Sequence, residues 1–303
     1  MPRIDVRRNL DAIDLAEVDE LLADVERADG QRPLSDHMWI DLREGRREGF
    51  AGVLAREPGH GHLVAYSQVS RGNDSWLVDV VVHPHHRYEM AALGPDVLAA
   101  ALSLVGDEGG GHVHWWVFEP TPIHETIARD AGLRAGRTAR QMRVVLPIDA
   151  PPPDIDIVPY RPGLDDDEWL RVNNAAFANH PEQGGWTRDL LESRVAQPWF
   201  APEHLLMHWR DGALAGFCWT KLHRDTEPVL GEIYIVAVDP RCSGAGLGRA
   251  LTAAGLAGLH RDGAPLGMLY VDDTNVRAHA MYRSLGFTAH HVQQAFVGDV
   301  SRR

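Results

Sequence analysis

The chain has 303 residues, enough for two domains, and its 44% hydrophobic and 24% charged content is that of an ordinary globular protein. A net charge of −13 excludes the basic face that a nucleic-acid binder needs. No apolar run reads as long enough to span a bilayer, and the start Met1-Pro-Arg-Ile-Asp-Val-Arg-Arg8 lacks the apolar core of a signal peptide. The expectation is a cytoplasmic protein with no membrane or nucleic-acid partner. The two cysteines, Cys218 and Cys242, make neither a disulfide framework nor a zinc site. The 17 histidines cluster at His60 and His62, His83, His85 and His86, and His112 and His114, but no spacing matches a defined metal site, so no metal is expected.

In chain order, Ile13 to Val25 reads as a helix with a solvated acidic face. A strand from Gly61 to Val69 and the turn Arg71-Gly-Asn-Asp74 lead to a β-branched strand, Trp76-Leu-Val-Asp-Val-Val-Val-His-Pro84. After Pro84 come His85, His86 and Arg87, without alternating glycines. A second helix ends near Gly132, in Asp130-Ala-Gly-Leu-Arg-Ala135. The run Pro147-Ile-Asp-Ala-Pro-Pro-Pro-Asp154 then reads as an extended linker.

The second half repeats this order. Within Arg171 to Thr187 the polar, glycine-containing part reads as a loop between two helices, and a strand from Ala213 to His223 turns through Arg224-Asp-Thr-Glu227. The next strand, Gly231-Glu-Ile-Tyr-Ile-Val-Ala-Val-Asp-Pro240, runs into Arg-Cys-Ser-Gly244-Ala-Gly246-Leu-Gly248. Leu247, Ala250, Leu251 and Ala254 follow at helical spacing. Proline lacks an N–H, so Pro240 marks where strand pairing stops. A strand, a glycine-rich turn and a helix start make a cradle for a phosphate: backbone amides face the anion and the helix dipole adds attraction. Downstream, Asn275 opens a short helix that carries Tyr282 and ends at Gly286. The tail, Asp299-Val-Ser-Arg-Arg303, is expected to be unstructured.

These two segments together resemble the acetyl-CoA site of the GCN5-related N-acetyltransferase (GNAT) superfamily. The family usually carries Arg or Gln before the first glycine, where this chain has Ser243. The resemblance implies an α/β fold with a mixed sheet, in two tandem GNAT domains: a degenerate one over 1–147, a linker over 148–155 and a catalytic one over 156–303. It implies acetyl-CoA along Val236, Ala237 and Val238, over Ser243, Gly244, Ala245, Gly246, Leu247, Gly248 and Arg249, and against Asn275, Val276, Arg277, Ala278, His279 and Ala280. The first half keeps only the Val80, Val81 and Val82 backbone for a loosely held nucleotide, and a structural or substrate-walling role suits it better.

Acetyl transfer to an amine needs a base for the ammonium, polarisation of the thioester and, for the leaving thiolate, an acid. Glu232 is the candidate base, and the alternative for it is an ordinary strand-end carboxylate. Tyr282 is the candidate acid by resemblance, and otherwise a core tyrosine. Asn275 is a pantetheine contact, a helix cap, or both. The Arg171–Thr187 connection resembles the tandem-domain branch of the family that acetylates the cysteinyl amine of cysteinyl-glucosaminyl-inositol. By that resemblance Asp36, Glu182, Lys221, Glu232 and Tyr270 hold this small-molecule substrate, and the chain acts as a monomer. Lys221 is otherwise an edge-strand lysine and Asp36 a helix cap beside Ser35. A GNAT enzyme for another amine and a non-catalytic acetyl-CoA-binding module are the competing functions; the retained Glu232 and Tyr282 argue against the second.

Overall fold

In the computed structural model, residues 2–44, 49–72, 75–151, 153–180, 183–244 and 246–303 are described. The chain forms two compact units: Met1–Thr138 with Val292–Arg303 (unit 1), and Ala139–His291 (unit 2).

Unit 1 holds β1 (Arg3–Arg7), α1 (Ala12–Asp29), α2 (Asp36–Glu44), β2 (Ala51–Arg56), β3 (Leu63–Arg71), β4 (Trp76–Val82), α3 (Met90–Asp107), β5 (Gly111–Phe118), α4 (Pro122–Asp130) and the start of β6 (Arg134–Val145). Asp11 caps α1 by accepting the Ile13 and Asp14 amides, and Gly30 ends it in the left-handed region that glycine tolerates. Neighbouring strands β1 to β5 are antiparallel except β4 and β5, which run parallel. One face packs Val78, Trp115 and Val117 under α3. The other packs Leu54, Tyr66 and Val81 under α1 and α2.

Unit 2 repeats the order: β7 (Val158–Pro159), α5 (Asp166–Ala176), α6 (Arg188–Val195), β8 (Leu205–Arg210), β9 (Ala213–His223), β10 (Leu230–Val238), α7 (Leu247–Arg261), β11 (Leu266–Asp272), α8 (Val276–Ser284) and the start of β12 (Thr288–Val300). Its strands lie in the order β6-β11-β10-β9-β8-β7, with β10 and β11 parallel. Cys218, Ile233, Leu251, Leu256, Leu269 and Tyr282 share the α7 and α8 face. Trp169, Trp186, Phe217, Trp219 and Ile235 form the α5 and α6 side. Cys218 is fully buried, and burial pushes its thiol up to about 12, as suits a small core residue.

Each repeat ends in a strand that does not pair where its sequence neighbours are. β6 follows α4, yet its residues 139–145 pair antiparallel with β11. β12 follows α8, yet its residues 293–300 pair antiparallel with β5. The compact units therefore do not part at the proline run, which belongs to unit 2, where Ile148, Ala150 and Ile155 pack on the core.

Three sequence expectations change. The segment Pro84–Asp107 is long and apolar enough, by length and composition, to cross a membrane. In the fold it is a core helix, with Leu93, Val97, Leu98, Ala101 and Val105 buried in unit 1. The tail is ordered as far as β12 reaches: Asp299 and Val300 pair with His112 and Gly111, and the Arg303 amide donates to the Gly106 carbonyl. Ser35, rather than Asp36, caps α2, because its hydroxyl accepts the Met38 amide at 3.4 Å.

Candidate active site

β10 pairs with β11 only at Leu230, Gly231 and Glu232, against Leu266, Gly267 and Met268. Beyond Glu232 the two strands part. A β-bulge helps them do so: the β9 register shifts between Ile233 and Ile235, leaving Tyr234 as the extra residue. From there to Val238 the β10 backbone is paired on its β9 side only, among the described residues. An open strand edge offers alternate amides and carbonyls to an extended ligand.

The wedge leads to the glycine turn. Gly244 and Gly246 have φ of 97° and 76°, a region that side chains other than glycine's rarely occupy. Gly246 is the N-cap of α7 and provides no side-chain cap, so the first amides of α7 stay available to an anion. Ser243 and Gly244 are exposed, Leu247 is buried in the core, and Arg249 donates to Ser284 Oγ at 2.8 Å. Ala245 lies outside the described residues. The turn is anchored from behind by Asp239, which accepts the Arg241 backbone and side-chain N–H groups and Arg171. Those arginines, Arg241 first, hold the Asp239 carboxyl well below the usual carboxylate range. Arg171 also grips Glu168 with two 2.8 Å bonds, tying α5 to the end of β10.

Asn275 is the N-cap of α8, its side chain accepting the Ala278 amide at 3.1 Å. Val276, Arg277 and Ala280 are exposed and Ala278 is half-buried. His279 is buried, and among the described residues neither of its ring nitrogens has a hydrogen-bond partner; Asp273 Oδ1 lies 3.6 Å from Nε2. Tyr282 is buried against Phe287, and burial pushes its phenol well above the ordinary tyrosine range.

Sheet register brings a polar set onto the face opposite α7. Glu232 lies beside Lys221 on β9 and Met268 on β11, and Met268 lies beside Arg143 on β6. Two residues along, on the same face by the strand period, are His223, Tyr270 and Gln141. His223 Nε2 is 2.8 Å from Glu232 Oε2. Gln141 donates to the Tyr270 hydroxyl, and Arg143 donates to Gln141, each at 2.8 Å. The Lys221 ammonium sits 4.6 Å from the Trp199 ring centre and 5.6 Å from that of Tyr234. At 3% exposure it is an interior residue, which removes the edge-strand reading. Glu232 and Tyr282 thus lie on opposite sides of the sheet.

Of the residues expected from sequence, Lys221, Glu232 and Tyr270 share one face. Asp36 opens α2 in unit 1, and Glu182 lies outside the described residues. Sequence reading missed His223, Gln141 and Arg143. The first was within reach, being two positions from Lys221 on one strand. The other two come from a strand whose partner no local pattern reveals.

In unit 1, β4 pairs with β5 from Trp76 to Asp79 and then also parts, leaving Val80, Val81 and Val82. The next segment, Pro84–Glu89, is a 3-10 turn, and Glu89 stands at the N-cap of α3.

The acetyltransferase (GNAT) family model matches residues 169–287. The mycothiol acetyltransferase of Acidimicrobium ferrooxidans is 39% identical over 89% of this chain and 89% of its own length. That of Streptomyces coelicolor is 40% identical over 89% and 87%. Among solved structures, a GCN5-related N-acetyltransferase from Sphaerobacter thermophilus superposes with a TM-score of 0.75 at 21% identity, covering 98% of this chain and 96% of that one. A tandem GNAT protein from the clavulanic acid biosynthesis pathway gives 0.69 at 16%, covering 99% and 100%. At those identities the structures speak for the fold alone, which is the mixed α/β fold expected from sequence.

Proposed function

The chain belongs to the mycothiol acetyltransferase family of GNAT proteins, and on that footing we propose that unit 2 transfers acetyl from acetyl-CoA to the cysteinyl amine of cysteinyl-glucosaminyl-inositol. The observation that carries the donor assignment is the parting of β10 from β11 beyond Glu232, opening onto a glycine turn with an uncapped helix start. Acetyl-CoA, when bound, supplies an acetyl thioester. The Val236–Val238 edge pairs with its pantetheine amides as an added strand would. The amides from Gly244 to Arg249 hold the pyrophosphate, and Asn275 adds a polar contact while capping α8.

Glu232 takes a proton from the substrate ammonium and frees the amine to attack. Tyr282, kept protonated by burial, gives its proton to the departing sulfur. Lys221 and Tyr270, which share the Glu232 face, hold the sugar and inositol hydroxyls. Residues 1–147 and 156–303 are then two copies of one module, of which only the second does chemistry. Both reacting side chains belong to unit 2 of a single chain, so a monomer suffices.

The test is a competition assay with the purified chain, acetyl-CoA and a panel of amines, following CoA release and product mass. Cysteinyl-glucosaminyl-inositol should exceed glucosamine, a peptide N-terminus and an aminoglycoside in kcat/KM by roughly 100-fold or more, since a site built for hydroxyls rejects ligands that leave its polar groups unpaired. A faster turnover of any other amine overturns the acceptor assignment.

A further inference from the structure

A base that takes a proton at every turnover must also lose it. Glu232 and His223 are 10% and 11% exposed, so neither faces bulk water freely. They sit diagonally on the paired strands β9 and β10: Leu230 is the register partner of His223, and Lys221 that of Glu232. Across that diagonal, His223 Nε2 meets Glu232 Oε2 at 2.8 Å. Lys221, the register partner of Glu232, is a donor without acceptor capacity, so it takes no proton from the carboxylate. His223 is the last residue of β9, and the hairpin beyond it, from Arg224 to Val229, carries exposed Arg224, Asp225, Glu227 and Pro228.

We propose that His223 is a proton relay for Glu232, carrying the substrate's proton from the buried carboxylate to solvent at the β9–β10 hairpin. This rests on Glu232 being the base of the acetyl transfer. In the first step an N–H bond of the substrate ammonium breaks and an O–H bond forms on Glu232. In the second, that O–H breaks and an N–H forms at Nε2 of neutral His223, which restores the carboxylate. The imidazolium then releases its Nδ1 proton to water, and proton exchange with water returns the ring to the Nδ1–H tautomer before the next turnover. One proton moves from substrate to solvent, no electrons change hands and no co-reactant is needed.

The competing role is a static brace, in which His223 keeps its proton and donates a fixed hydrogen bond to Glu232. His223→Gln separates the two, because glutamine can donate an N–H but cannot ferry a proton. The full chain is assayed with acetyl-CoA and cysteinyl-glucosaminyl-inositol, and folding of each variant is verified by its thermal stabilisation by acetyl-CoA. A relay predicts kcat lower by roughly 10- to 100-fold in both His223→Gln and His223→Ala, toward the lower end of general acid–base contributions. The KM for acetyl-CoA should stay unchanged. Added imidazole should restore rate to His223→Ala, methylimidazoles of higher basicity should restore more, and Glu232→Gln should gain nothing. Parental kcat in His223→Gln overturns the relay in favour of the brace, and a slowed His223→Ala that imidazoles leave slow overturns it as well. Parental rate in Glu232→Gln is a different failure, since it removes the base itself and the reading beneath the relay.

Discussion

β4 of unit 1 and β10 of unit 2 start alike and end differently. Each pairs in parallel with the following strand for a few residues and then parts from it. β10 reaches its parting through a bulge, whereas β4 keeps unbroken register with β3 from Trp76 to Val82. The larger difference comes one turn later. The β10 turn has left-handed glycines and a helix start with no capping side chain. At the β4 turn the helix start has no left-handed glycine: Glu89 is the N-cap of α3, and its side chain caps no amide. Its cations are already committed: Arg87 makes two 2.8 Å bonds to Asp29, His83 lies 3.1 Å from Asp24, and His86 lies 3.2 Å from Glu89. An open strand edge is thus common to both units, and what the β10 turn has alone is the pair of left-handed glycines ahead of its helix.

The comparison can be broken most severely at Gly246. Gly246→Asp forces a side chain into the left-handed region, a strain of about 1–2 kcal/mol, and sets a carboxylate at the start of α7, reproducing the arrangement at Glu89. Acetyl-CoA should no longer raise the melting temperature, and calorimetry should find no binding. Unchanged affinity would show that the cradle is elsewhere.

The next effect in size concerns the proton transfers proposed for unit 2. Glu232→Gln should slow turnover at neutral pH by roughly 100-fold or more. Raising the pH should recover part of that, because more substrate then arrives as free amine. Tyr282→Phe should cost less, since a thiolate is already a fair leaving group, and higher pH should not rescue it. Burial raises the Tyr282 phenol above its ordinary range, so it stays protonated through mildly alkaline solution and the parent keeps its acid there. A pH–rate profile of the variants beside the parent measures both effects, and matching rates throughout would take these side chains out of the mechanism.

The smallest effect is expected in unit 1. Replacing His85, His86 and Arg87 with alanine should leave kcat within about 2-fold of the parent. The lost Arg87–Asp29 pair is partly exposed and contributes on the order of 1 kcal/mol or less to stability. A loss of turnover as large as that of Tyr282→Phe, in a folded variant, would give unit 1 a part in the reaction.

The local parts of this architecture were legible in the residues. The β-branched runs ending in Pro84 and Pro240, the glycines of the turn and the cap at Asn275 all act over a few positions, and each is where the pattern indicates. What was hidden is pairing. Alternation in Gln141-Met-Arg-Val144 tells which side chains share a face, but not that β11 is the neighbour that brings Gln141 to Tyr270. The bulge at Tyr234 and the filling of the unit 1 turn by Asp24 and Asp29 depend likewise on partners far away in sequence. His223 was overlooked for another reason: a histidine at a strand end has many ordinary explanations, and only the contact with Glu232 selects one.

The pairing of β12 with β5 also sets a clock. His112 and Asp299 are 187 positions apart yet lie side by side. At a synthesis rate of about 5–20 residues per second, roughly 10–40 s pass between the making of β5 and the arrival of its neighbour. During that interval the β5 edge, Gly111–Phe118, with Trp115 and Val117 on its core face, stands open to other chains. Nascent chains of this protein are therefore exposed to mispairing there while the ribosome is still building unit 2. A chain cut after His291 would keep the residues of unit 2 and leave unit 1 without its last strand.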